Sequence, residues 1–125
     1  MSKTVPFPFI LENLSRLTYT VKAFFGCHAI YVGDKILLAM RNKKEHPRDN
    51  GVWIATFVEH HASLQAIFPS MRSIELFGKA PTTWQNLPLA APDFEESVNT
   101  LCDLILKRDP RIGRIPAKKT KKRKE

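Results

Sequence analysis

Between residues 24 and 41 the sequence FFGCHAIYVGDKILLAMR sets two apolar runs on either side of Gly33-Asp34. A two-residue loop joining twisted strands needs positive φ at one or both central positions, which Gly33 supplies and Asp34 tolerates. The pattern predicts a β-hairpin at the centre of an antiparallel sheet. Counting outward from a Val32–Lys35 pair matches Tyr31 with Ile36, Ile30 with Leu37, Ala29 with Leu38, His28 with Ala39 and Cys27 with Met40. A period of two then gathers Cys27, Ala29, Tyr31, Ile36, Leu38 and Met40 on one apolar face and sends His28 to the other.

The flanking patterns predict further elements. Residues 1–8 read as an extended arm, because Pro6 and Pro8 fix φ and remove donors. Ile10, Leu14 and Leu17 recur at helical spacing and predict a short helix over 9–17, followed by a strand over 19–25 that ends at Gly26. The polar stretch 42–50 around Pro47 reads as a loop, 52–57 as a strand, and Leu64, Ile67 and Phe68 as the stripe of a helix stopped by Pro69. Strands are expected over 71–77 and 83–87. Phe94, Val98, Leu101, Cys102 and Ile105 mark a last helix, with Asp93 and Glu96 in a capping-box pattern and Pro110 as its stop.

Charge changes this picture. The net charge is +8, but residues 1–106 hold ten basic and ten acidic side chains, which cancel. The last 19 residues carry ten basic groups against Asp109 and Glu125, so the whole excess lies there. A neutral body with a basic appendage attracts polyanions through the appendage alone. Its densest run is Lys118, Lys119, Lys121, Lys122, Arg123 and Lys124, six cations in seven positions, a pattern that neutralises phosphates without reading bases. The alternative is a solvated solubility tail. Pro, Gly and like charges predict disorder beyond about residue 115.

At 125 residues and 43% hydrophobic, the chain suits one domain with its own core. No apolar run reaches the length of a membrane span, so no membrane partner is expected. Cys27 and Cys102 lie in apolar patterns without a CxxC partner and read as free buried thiols; with no secretory signal, this points to the cytoplasm. Cys27, His28, His60 and His61, with His46 as a spare, invite a metal reading. Strand alternation splays the first two, and a helix start splays the adjacent histidines, so neither a metal nor a cofactor is expected. Cys27 beside His28 lacks a third group to orient a base, and Glu95 with Glu96 is explained by the helix dipole, so no catalytic set emerges. Trp53 reads as a core anchor. Trp84, set among Thr82, Thr83, Gln85 and Asn86 and close to Lys79, stays open between core and an exposed Lys79–Trp84 surface site.

The segment 22–40, KAFFGCHAIYVGDKILLAM, resembles the hairpin signature of the TfoX N-terminal domain family. Phe25, Gly26, Ile30 and Tyr31 match; Phe24 stands where the family has Met, and Cys27 and Ala29 replace two of its glycines. The later stretch, a helix ending in Phe68-Pro69, a strand through Ile74, then Lys79 and Trp84 before a final helix, is similar to the YjbR (MmcQ)-like family. Together these cover about residues 9–107. The resemblance implies a single two-layer α+β domain, with a central antiparallel sheet and flanking helices as in type III secretion chaperones; with the stop at Pro110, the domain is expected over 9–109 and the basic tail over 110–125. It implies no enzyme. TfoX-like proteins include competence regulators, and YjbR-like members have been proposed to bind DNA. The expected function is therefore a cytoplasmic regulatory or DNA-associated module whose tail contacts nucleic-acid phosphates; the alternative is a protein–protein interaction module, self-associating as a homodimer, with the tail incidental.

Overall fold

The computed structural model describes residues 5–76 and 83–115. It is a mixed α+β fold around a six-stranded antiparallel sheet. The chain runs α1 (Phe9–Asn13), β1 (Thr20–Phe24), β2 (Cys27–Val32), β3 (Lys35–Arg41), β4 (Gly51–Ile54), α2 (His61–Ile67), β5 (Arg72–Ser73), β6 (Gln85–Pro88) and α3 (Phe94–Leu106). Strand order is β1-β2-β3-β4-β6-β5, so the hairpin of β2 and β3 lies inside the sheet. No helix among the described residues is long and apolar enough to cross a membrane.

The hairpin turns where the pattern places it, with Val32 opposite Lys35 and Gly33 at φ 61°. Its register then departs from the simple count. A β-bulge between Ile30 and Tyr31 leaves Leu37 as the extra residue, so Ile30 faces Leu38, Ala29 faces Ala39 and His28 faces Met40. The face expected to hold six residues loses two of them. Cys27, Ala29, Tyr31 and Ile36 stay together beside Trp53, Trp84 and Ile74, while Leu38 and Met40 join the opposite face with Ile30. That opposite face carries the larger core, because Ile10 of α1, Leu64 of α2 and Val98, Leu101, Cys102 and Ile105 of α3 pack there. The arm is tied to it as well, with the Phe7 ring edge-on to Phe94 at 5.1 Å.

Other boundaries moved for local reasons. Helix α1 stops at Asn13, where the chain passes into tighter turns with Ser15 N–H donating to Glu12 O and Leu17 N–H to Leu14 O, and the Asn13 side-chain amide donates to Asn99 Oδ1 on α3 at 2.8 Å. The turn between β1 and β2 is Phe25-Gly26, both at positive φ (50° and 79°), the dihedral pattern of a tight hairpin. Of the strand expected over 71–77, the described residues 71–76 pair in the sheet only at Arg72 and Ser73. The buried Asp49 carboxylate takes the Glu75 amide with both oxygens, at 3.1 and 3.0 Å, and draws the chain off the ladder. Strand β6 begins at Gln85 and runs through Pro88, later than the 83–87 expected, with Pro88 at the edge of its ladder opposite Gly51. The capping box does not form. Asp93 sits at φ −96°, ψ 19° with no side-chain cap bond, because the chain enters α3 from a turn in which Phe94 N–H donates to Ala91 O.

Candidate nucleic-acid interface

Helix α3 delivers the chain to the base of the tail. Its amphipathic stripe locks it on the sheet, and beyond the C-cap residue Lys107 the chain turns at Arg108, held at φ 61°. Asp109 N–H donates to Leu104 O at 2.9 Å, which closes the helix end in the left-handed style usually given to glycine. The Asp109 carboxylate then clasps Arg111: Oδ1 accepts from the Arg111 backbone N–H and Nε, both at 2.9 Å, and Oδ2 accepts from Nη2 at 2.7 Å. These bonds hold the Asp109 acid down at about 2, well below its ordinary 3.8.

Residues 111–114 are bound to the sheet. Thr56 Oγ1 donates to Arg111 O at 2.6 Å, Ile112 is buried in the main core, and Gly113 N–H donates to Ala55 O at 2.6 Å. Arg114 and Ile36 exchange both backbone hydrogen bonds, at 2.8 and 2.9 Å, as an antiparallel pair. The segment thus takes the place beside β3 that β4 leaves after Ala55. Gly113 is required there: it stands at φ 107°, and a Cβ would come within 2.5 Å of Lys35 Cε. The residues read from the sequence as the start of the tail, 110–115, are part of the folded body as far as the structure describes them.

Four cations surround this root. Lys35 lies across Gly113, Arg111 is neutralised by Asp109, and Arg108 is exposed. Arg114 places its guanidinium 5.0 Å from the centre of the Phe57 ring and donates from Nη1 to Thr83 Oγ1 at 2.7 Å. Phe57, Val58 and Ile115 are exposed beside it. The tail therefore leaves the body next to Thr83, where the segment leading to Trp84 re-enters the described structure.

The six tail cations Lys118, Lys119, Lys121, Lys122, Arg123 and Lys124, and Lys79, lie outside the described residues. Trp84 is inside them, and it is core: 9% exposed, with its ring 5.9 Å from Trp53 and 5.2 Å from Phe24. Its indole is a support of the second sheet face, and Thr83 is the member of that segment which reaches the tail root. Trp53 is fully buried and donates from Nε1 to Asp49 O at 2.8 Å.

The other chemical candidates do not converge. Cys27 faces the aromatic side of the sheet, whereas His28 lies beside Met40, Lys43 and Lys44 in a shallow cleft on the other side. Burial pushes both the Cys27 and the Cys102 thiols up to about 11, far from the thiolate that a nucleophile needs. His61 contacts Thr83 O through Nε2 at 3.3 Å, and no group of three or more His, Cys, Asp or Glu among the described residues is placed to hold a metal.

One cluster was invisible in the sequence. Arg41 is 2% exposed, and its guanidinium donates to Glu45 O at 2.6 Å and to His46 O and Asn50 Oδ1 at 2.8 Å. It organises the polar loop 42–50 from within. An arginine closing an apolar strand just before an all-polar loop was the available signal. No protein-family model, no curated protein and no solved structure matches this chain.

Proposed function

We infer that the chain is a non-enzymatic, cytoplasmic, nucleic-acid-associated module, a two-layer domain of the TfoX N-terminal or YjbR-like kind that contacts phosphate through its C-terminal cations. The observation that supports this reading most is the fixed root of the tail. Three residues after Ile115 the run Lys118–Lys124 begins, so the main chain spans at most about 11 Å between Ile115 and Lys118. That span is comparable to a Debye length, about 8–10 Å at 0.1–0.15 M salt, so the first cations of the run and Arg114 act on a polyanion together. The body's charges cancel elsewhere, which confines attraction to this end of the molecule.

The test is binding of duplex DNA across a range of salt, by the full chain and by a full-length variant with all six tail cations replaced by Gln. If all six engage, log K falls against log salt with a slope of about −5, from roughly −0.9 per phosphate contact. Neutralising them is expected to remove most of that slope. Equal, salt-insensitive binding by both chains would overturn the reading.

A specific feature favours a second reading, a protein-interaction module. Among the described residues strand β1 has β2 as its only neighbour in the sheet, and its five residues are exposed or half-buried, so its outer edge offers main-chain groups to another strand. Sedimentation showing a monomer at every concentration, with no strand-adding partner, would count against it.

A further inference from the structure

On the helix-bearing side of the sheet, directly beneath the tail root, Leu17, Val32, Leu37, Ile105 and Ile112 line a cavity of about 350 Å³. Nucleic-acid binding makes no use of it. Its walls come from four separate segments: the connection between α1 and β1, the hairpin, α3, and the chain after α3. Leu37, Ile105 and Ile112 are buried members of the main core, and Leu17 and Val32 pack against that core. The hollow is therefore a break in the core itself. Leu37 reaches it because of the bulge, which lets two successive residues of β3, Leu37 and Leu38, face the same core.

The rim is charged, by Lys35, Arg108 and Asp109. Asp109 is already committed, since three Arg111 donors occupy its two oxygens. Lys35 and Arg108 have no carboxylate partner among the described residues. The Lys35 stem is steadied against Gly113. Arg108 holds the left-handed φ of 61° that a glycine would adopt at no cost, a strain that persists only where the surroundings impose it. A rim with two unpaired cations over apolar walls, and with no polar group inside to read a base or a sugar, matches one ligand chemistry.

We propose that this cavity binds an apolar monocarboxylate, its hydrocarbon body against Leu17, Val32, Leu37, Ile105 and Ile112 and its carboxylate between Lys35 and Arg108. The volume equals that of about twelve waters of the bulk liquid and lies at the small end of ligand pockets, which suits an acid of about eight to ten carbons. The two cations supply charge-assisted hydrogen bonds, and Arg108 can offer a bidentate fork. Because Arg108 and Ile112 bracket the turn leading into Gly113 and Arg114, an occupant braces the tail root.

The test uses the full chain with octanoate, octanol and inorganic phosphate as probes, read by calorimetry and by methyl NMR shifts. Octanoate is expected to bind at one saturable site, shift the Val32, Leu37, Ile105 and Ile112 methyls and raise Tm by mass action. Octanol should bind more weakly and phosphate not at all. Arg108→Gly is the informative variant, because glycine suits the local φ and the fold is kept or strengthened. It is expected to weaken octanoate about tenfold, the loss of one charge-assisted contact, and to leave octanol unchanged; Lys35→Gln should behave likewise. The proposal is overturned by any of four results: no saturable octanoate binding, phosphate binding as tight as octanoate, equal loss of octanoate and octanol in Arg108→Gly, or shifts confined to the Trp53–Trp84 side of the sheet.

Discussion

Residues 42–50 and 110–115 look alike in the sequence, each a proline-containing stretch rich in basic side chains, yet the fold holds them by opposite means. The first is held by side chains. One buried guanidinium, Arg41, reaches Glu45 O, His46 O and Asn50 Oδ1, and Asn50 returns bonds to the main chain of Lys43. The second is held by main chain, through the Arg114–Ile36 pair and the bond from Gly113 to Ala55. A segment fastened through side chains is loosened when its central side chain, Arg41, is removed. A segment fastened as a strand depends instead on backbone geometry and on having glycine at the crowded position.

The largest expected effect comes from Arg41→Ala, which removes three hydrogen bonds made by a buried guanidinium. At about 1 kcal/mol for each bond lost, a loss of roughly 3 kcal/mol is expected in urea denaturation. A loss within the noise of a surface substitution would show that the loop holds itself. Gly113→Ala comes next, at about 2 kcal/mol, since φ 107° is strained for any side chain and the new Cβ meets Lys35. Repeating it in a Lys35→Ala background separates the terms. The steric part should vanish there and the backbone part remain.

Thr56→Val removes only the hydroxyl bond to Arg111 O, and about 1 kcal/mol is expected. The smallest effect is acid sensitivity at the same corner. Asp109 binds its proton less readily when folded, about 2 against 3.8, so its contribution to stability is present above about pH 4 and is lost as pH falls toward 2. Asp109→Asn should flatten the denaturation profile in that window and nowhere else.

The parts of the fold written in short-range pattern were legible. Gly33-Asp34 gave the turn and the Val32–Lys35 pair, and the spacing from Phe94 to Ile105 gave α3. Separation of Cys27 from His28 followed from alternation alone. The bulge at Leu37 was not legible, because the apolar run of β3 supplies a hydrophobic residue to either face in either register, so period counting cannot detect one extra residue. Asp93 and Glu96 made a convincing cap pattern that failed because the preceding turn, set by Ala91, fixes how the chain enters the helix. The tail root was hidden for a related reason. Pro110 and Gly113 read as punctuation, whereas Gly113 is there to let the chain pass under Lys35, a fact that exists only once hairpin and helix are assembled.

The central claim is that the basic appendage springs from a segment built into the sheet. Amide hydrogen exchange at Gly113 and Arg114 tests this directly, since their N–H groups bond to Ala55 O and Ile36 O. Both amides are expected to exchange as slowly as the Ile36 amide, which shares the same ladder pair. Exchange at the rate of an open chain, with Ile36 still protected, would contradict the account.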